Sequence, residues 1–110
     1  AYTVQKNLGT ELLEKVYEIC FCHEIEKRGL SYERQVDIPI IYDGIRFEEG
    51  LRLDVFVEGQ VICELKAVDE INPVWQAQVL SHMTLTEKRL GFLINFNVVK
   101  IKYGIKRFVK

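Results

Sequence analysis

The stretch "LRLDVFVEGQVICELK", residues 51–66, is compatible with few folds. Two alternating runs flank a tight turn, Leu51, Leu53, Val55 and Val57 on one side and Val61, Cys63 and Leu65 on the other. Alternate residues of a strand share a face, so each run reads as a half-buried strand and the pair as a β-hairpin. Arg52, Asp54 and Phe56 take the other face of the first strand, and Ile62, Glu64 and Lys66 that of the second. Opposed residues of an antiparallel pair lie on the same face. A two-residue Glu58-Gly59 turn would split the apolar rows and part Asp54 from Glu64. A three-residue loop joins both apolar rows on one buried face and gathers Asp54, Glu64 and Lys66 on the other. Both patterns require the same register, so the expectation is an odd-length loop, with Gly59 left-handed beside a bulge.

Charges among buried rows are costly unless partnered. Two neighbouring carboxylates repel unless one is protonated or a cation lies between them. Oxygen ligands with partial hydration suit Mg²⁺ or Mn²⁺. Lys66, two residues beyond Glu64, can aim its ammonium at an attacking water or a phosphate oxygen. A metal with a lysine suits phosphodiester hydrolysis, whose transition state gathers negative charge. The same spacing also admits a structural ion pair from Lys66 to Asp54 or Glu64.

The chain's 110 residues, 48% of them hydrophobic and with charges of both signs, read as one globular domain. No apolar run approaches the ~18–20 residues of a membrane helix. No basic segment with a short apolar core opens the chain, so no signal peptide and a cytoplasmic location are expected. The first residue is not Met, which suggests a trimmed start. Cys20, Cys22 and Cys63 cannot close a disulfide set, and His23 and His82 are not spaced to complete a zinc site, so buried reduced thiols are expected. Net charge is −1, yet residues 87–110 carry seven cations against Glu87 alone. A basic edge beside an acidic pocket suits a phosphate backbone held near a metal; a solvated basic tail explains the charges equally well.

Apolar periodicity predicts a helix over 11–28, with Thr10 as N-cap and Gly29 past its end. Asp43-Gly44 predicts a turn between two strands ahead of the opening hairpin. Asn72 and Pro73 start a second helix running to about residue 86. "RLGFLINFNV" reads as an apolar strand and "GIKRFVK" as a short last one. The order gives an α/β sandwich around a mixed sheet.

Asp54, nine residues, then Glu64-Leu65-Lys66 resembles the signature of the PD-(D/E)xK nuclease superfamily. Nearly the whole chain resembles one branch of it, the GxxExxY proteins, through "LGTELLEKVYE", "ERQVDIPIIYDG", "LRLDVFVEGQVICELKAVDEINPVWQAQVLSH", "LGFLINFNV" and "GIKRFV". The resemblance implies a restriction-endonuclease-like core, a mixed β-sheet flanked by helices with a central antiparallel hairpin. It implies one such domain over 1–110, with "AYTVQKNLG" as the tail of an N-terminal helix whose start is lacking. The lost turns would bare an apolar patch that favours self-association.

It further implies that Asp54 and Glu64, with Glu14 from the first helix, hold Mg²⁺ or Mn²⁺. Leu13 and Val16 flank Glu14, which suits a side chain facing the sheet. Lys66 would orient the nucleophile, and Gln78 would steady substrate or lysine. The glycine of "GxxExxY" falls on Glu11, with Gly9 just ahead, and the Gln-x-x-x-Tyr pattern of related nucleases becomes Gln78-Val-Leu-Ser-His82. Residues four apart share a helix face, so His82 is expected to reach phosphate, with Arg52 a further substrate-binding residue. Tyr17 reads as core beside Cys20 and Phe21, and Trp75 as core or interface.

The implied activity is metal-dependent phosphodiester hydrolysis of DNA, or of RNA. The alternative is a non-catalytic nucleic-acid-binding or regulatory module that retains the fold. Specific protein–DNA interfaces bury ~1,000 Å² or more of protein, so a chain this small is expected to form a homodimer or to take specificity from a partner protein. No membrane partner is expected.

Overall fold

In the computed structural model, which describes the backbone of residues 1–110 and every side chain but those at 48 and 49, the central hairpin has the odd-length loop. Strand β2 (Ile45–Val57) meets β3 (Val61–Lys66) through Val57 opposite Val61, Phe56 opposite Ile62 and Val55 opposite Cys63. Gly59 is left-handed, φ 62°, as expected, and so is Glu58, φ 54°. The Gln60 N–H closes the turn on the Val57 carbonyl at 2.9 Å.

Strand β1 (Tyr32–Tyr42) precedes β2, and the turn between them is Asp43-Gly44, both with positive φ. The sequence reading broke residues 45–57 into two strands; they form one, because β1 pairs along it from Tyr42 opposite Ile45 to Tyr32 opposite Val57. Helix α3 (Pro73–Thr86) begins as predicted, Asn72 Oδ1 accepting the Val74 N–H at 3.0 Å. It is the crossover that makes β4 (Leu90–Asn95) parallel to β3. A 3₁₀ turn over 101–103 leads into β5 (Ile105–Val109), antiparallel to β4. The sheet has five strands in chain order, mixed only at β3–β4.

Two helices precede the sheet, α1 (Tyr2–Leu8) and α2 (Glu14–Lys27). The start of α2 corrects the sequence reading: Leu13, not Thr10, is its N-cap. Glu11 is left-handed, and the Tyr17 hydroxyl holds the loop open, donating to Gly9 O at 2.8 Å and accepting the Leu12 N–H at 3.3 Å. At the other end Gly29 acts as expected. Its N–H bonds to Glu26 O and that of Leu30 to Ile25 O, the paired contacts of a left-handed helix end.

Helices α1 and α2 cover one face of the sheet and α3 the other. Beneath α2, Tyr17 stacks on Phe96 at 4.7 Å between ring centroids, and Phe21, Cys22, Val55, Cys63, Leu65 and Ile94 fill the core. Beneath α3 lie Leu53, Ile62, Val79, Met83, Leu93 and Phe108. Leu53 thus corrects the single apolar row read from sequence, for it faces α3 whereas Val55 and Val57 face α2. Its partner strand switches at the same step: Arg34 reaches an α2 side chain, while Val36 and Ile38 pack under α3. Between them Gln35 is left-handed, φ 52°, which reverses the facing of the strand. All three cysteines are free thiols, Cys22 and Cys63 buried. Among the described residues no helix is long and apolar enough to cross a membrane.

Candidate active site

The step at Gln35 coincides with a gap in the sheet. Pairing between β2 and β3 ends at Val55 opposite Cys63, although β3 continues to Lys66 against β4. Continued in register, the ladder would bring Leu53 to Leu65; instead the Leu65 N–H is taken at 2.9 Å by Asp54 Oδ2. A side-chain oxygen thus satisfies a buried backbone donor where the strands part. It also fixes Asp54 in the mouth of the gap.

On the α3 side of the gap stand Glu64 and Lys66. Glu64 is 7% exposed, and its Oε1 lies 3.0 Å from Nδ1 of His82, itself 4% exposed. An ionised carboxylate only accepts, so with Glu64 charged the proton of this bond sits on Nδ1. Lys66 makes no ion pair among the described residues; its ammonium lies over Trp75, 4.5 Å from the ring centroid. The structural ion pair admitted by the spacing is therefore not formed.

The carboxylates nonetheless feel one another. Burial pushes the Asp54 carboxyl up to about 7, aided by the charges of Glu64 and Glu14, while the Leu65 N–H and Lys66 pull it down. Glu14, the first residue of α2, is exposed, yet its carboxyl is also raised, chiefly by desolvation and then by Glu18 and Glu64 against the pull of Lys66. Asp54, Glu64, Lys66 and Glu14 therefore share one electrostatic neighbourhood, Glu14 from the α2 side.

One turn after Glu14, buried Glu18 accepts from Arg34 Nη2 at 2.8 Å and Gln35 Nε2 at 2.6 Å. A carboxylate held by both residues anchors the left-handed step opposite Asp54. Sequence reasoning missed Glu18, though its spacing of four from Glu14 signals a shared helix face. It also missed Trp75 as the seat of Lys66, a contact between elements that no local spacing announces.

Residues 1–108 match the sequence model of the PD-(D/E)XK nuclease superfamily. The chain belongs to that superfamily. No curated protein and no solved structure matches it. A mixed sheet between helices, with Asp54 and Glu64-Leu65-Lys66 meeting at a gap in its central hairpin, is consistent with the restriction-endonuclease-like fold.

PD-(D/E)XK nucleases generally use divalent metals, and the donors here suit a hard cation. Asp54 Oδ2 and Glu64 Oε1 are engaged by Leu65 and His82, which leaves Oδ1 and Oε2 for a further partner. A cation there would offset both the burial that chiefly raises Asp54 and the added repulsion from Glu64. Among the described residues no three His, Cys, Asp or Glu side chains are grouped to hold a metal, so the expected trio with Glu14 is not assembled. Two carboxylates, with water and substrate phosphate completing the shell, is a common Mg²⁺ arrangement.

The remaining expected residues divide. His82 is not a solvent-facing donor but the buried partner of Glu64. Arg52 is exposed and paired with Asp37 at 2.9 Å, beside the cleft that Glu14, Glu18 and Arg34 line. Gln78 is exposed on α3, and no hydrogen bond among the described residues joins it to the site. Tyr17 is core, as read from sequence.

Proposed function

We propose that this chain is a divalent-metal-dependent nuclease of the GxxExxY branch, with Asp54, Glu64, Lys66 and Glu14 as its working residues. The observation that carries the reading is the gap between β2 and β3, where Asp54 leaves the ladder to bond Leu65 and meets the field of Glu64 and Lys66. In a stability-driven design these charges would be paired; here Lys66 rests on an indole instead.

Asp54 and Glu64 would hold Mg²⁺ or Mn²⁺, which when bound supplies charge neutralisation at the reacting phosphate and a more acidic water. Lys66 presents an ammonium toward negative charge that grows in the transition state, and Trp75 restricts where that ammonium sits. His82 fixes the Glu64 carboxylate. Glu14 borders the site from α2 and accepts a proton more readily than an isolated glutamate. Gln78, His82 and Arg52 were expected to touch substrate; of these Arg52, at the cleft rim, keeps that role in this proposal. The substrate is nucleic acid, DNA in the first instance.

The test is cleavage of end-labelled single-stranded DNA, duplex DNA and RNA in Mg²⁺, Mn²⁺ or EDTA, with wild type and Lys66→Ala. Cleavage with metal, none in EDTA, and a loss of about 10²-fold in the variant is the expected pattern. Equal cleavage by Lys66→Ala would remove Lys66 from the mechanism, and no cleavage of any substrate would favour the binding-module alternative.

A further inference from the structure

An open cleft of about 450 Å³ lies between α1 and the segment that enters the 3₁₀ turn, bordered by Tyr2, Lys6, Lys100 and Lys102 with Gln5 and Ile101 at its base. No acidic residue lines it, and none of the three lysines makes an ion pair among the described residues. In a chain of net charge −1 these are three cations with no carboxylate in the cleft, the Lys102 ammonium lying 5.0 Å from the centroid of the Tyr103 ring.

The base of the cleft is rigid. Buried Gln5 donates to the carbonyls of Phe96 and Val98 and accepts the Ile101 N–H at 2.9 Å, locking α1 to the loop after β4. That loop is tied to the site, since the Phe96 N–H bonds to Lys66 O at 2.8 Å. On the other wall, Gly9 and Thr10 belong to the loop that the Tyr17 hydroxyl fixes just before Glu14. The backbone that carries the three lysines is therefore tied to the segments that carry Lys66 and Glu14.

We infer that this cleft takes a single strand of nucleic acid leaving the active site, with Lys6, Lys100 and Lys102 on its phosphates and Tyr2 against a base. The inference rests on the nuclease reading for its direction, since the strand is taken to run from Lys66. Lysines lining a groove beside an exposed aromatic ring are the usual means of gripping single strands, because every base offers a stacking face. Tyr2 is 67% exposed and free to stack. A concavity of this size admits a nucleotide or two, whereas a duplex needs a far broader surface.

The experiment is fluorescence anisotropy in EDTA with a labelled oligothymidylate and with a duplex of equal length, over a range of salt. Wild type, Lys100→Gln/Lys102→Gln, Tyr2→Ala and Lys88→Gln/Arg89→Gln are compared. Lys88 and Arg89 precede Leu90, at the end of β4 remote from Lys66, so this pair removes the same charge elsewhere. The expected result is tighter binding of the single strand than of the duplex. Lys100→Gln/Lys102→Gln weakens it at least tenfold and flattens the logarithmic salt slope by about 1.4, from about 0.7 per phosphate contact. Tyr2→Ala weakens it about tenfold with the slope unchanged, and the Lys88/Arg89 pair changes it less than twofold. Equal losses from both lysine pairs, equal affinity for duplex, or no binding at low salt would each overturn the inference. Because metal is absent throughout, none of these outcomes tests the metal site itself, whose failure shows only in metal titration.

Discussion

His82 Nδ1 lies 3.0 Å from Glu64 Oε1, and both side chains are buried against each other between β3 and α3. Removing the ring strands a buried carboxylate without its donor, at a cost of about 1–3 kcal/mol. His82→Ala should lower the unfolding free energy by that amount, read as a lower urea midpoint at unchanged slope, and weaken Mn²⁺ binding, because Glu64 loses its fixed rotamer. His82→Gln, which can still donate, should recover most of the affinity for Mn²⁺. Calorimetric titration of both variants checks this, and unchanged affinity in His82→Ala would show that Glu64 needs no support.

Lys66 depends on Trp75 in a similar way. The contact at 4.5 Å contributes about 0.5–2 kcal/mol to holding the ammonium. Trp75→Leu should therefore slow cleavage by roughly two- to thirtyfold, while Mn²⁺ affinity stays as in wild type. Loss of metal binding together with activity would place Trp75 in the packing of the whole site instead.

The raised Asp54 carboxyl makes stability depend on pH. In the unfolded chain it ionises near 3.9; in the fold burial, with Glu64 and Glu14, lifts it to about 7. Between those values the folded state keeps a proton that the unfolded state has released, so stability falls as pH rises from about 4 to about 7 and levels off above. Urea unfolding in EDTA at pH 5 and pH 8 should show this fall in wild type and a much smaller one in Asp54→Asn. A fall of equal size in the variant would assign it to other groups.

Much of this was legible in the sequence, where one face had to satisfy two requirements at once. The hairpin register followed from its apolar rows and its charges together, and Asn72-Pro73 marked the start of α3 by cap chemistry alone. Leu53 was misplaced because a left-handed Gln35 lies on the neighbouring strand, and nothing in an alternating pattern encodes a reversal imposed from there. The helix over 11–28 was drawn three residues too early because Leu12 and Leu13 fit its period, whereas the Tyr17 hydroxyl holds them in a loop. His82 occupied a position where the family pattern suggested substrate contact. Its burial depends on the depth of α3 against β3, which sequence spacing does not give.

The thiols offer a check on the core beneath α2. Burial pushes Cys22 up to about 11 and Cys63 up to about 12, so neither presents thiolate near neutral pH. Iodoacetamide at pH 8 should label Cys20 first, with Cys22 and Cys63 reacting only after denaturant is added. Rapid labelling of Cys63 in the native protein would mean that β3 is not covered on that face.

The measurement that bears most directly on the central claim is calorimetric titration of Mn²⁺ into wild type and Glu64→Gln, with plasmid nicking assayed on the same samples. The account predicts binding by wild type, a rise in thermal midpoint of roughly 10 °C at one hundred times the dissociation constant, and loss of both binding and nicking in the variant. Absence of binding by wild type at millimolar Mn²⁺, or undiminished nicking by Glu64→Gln, would contradict it.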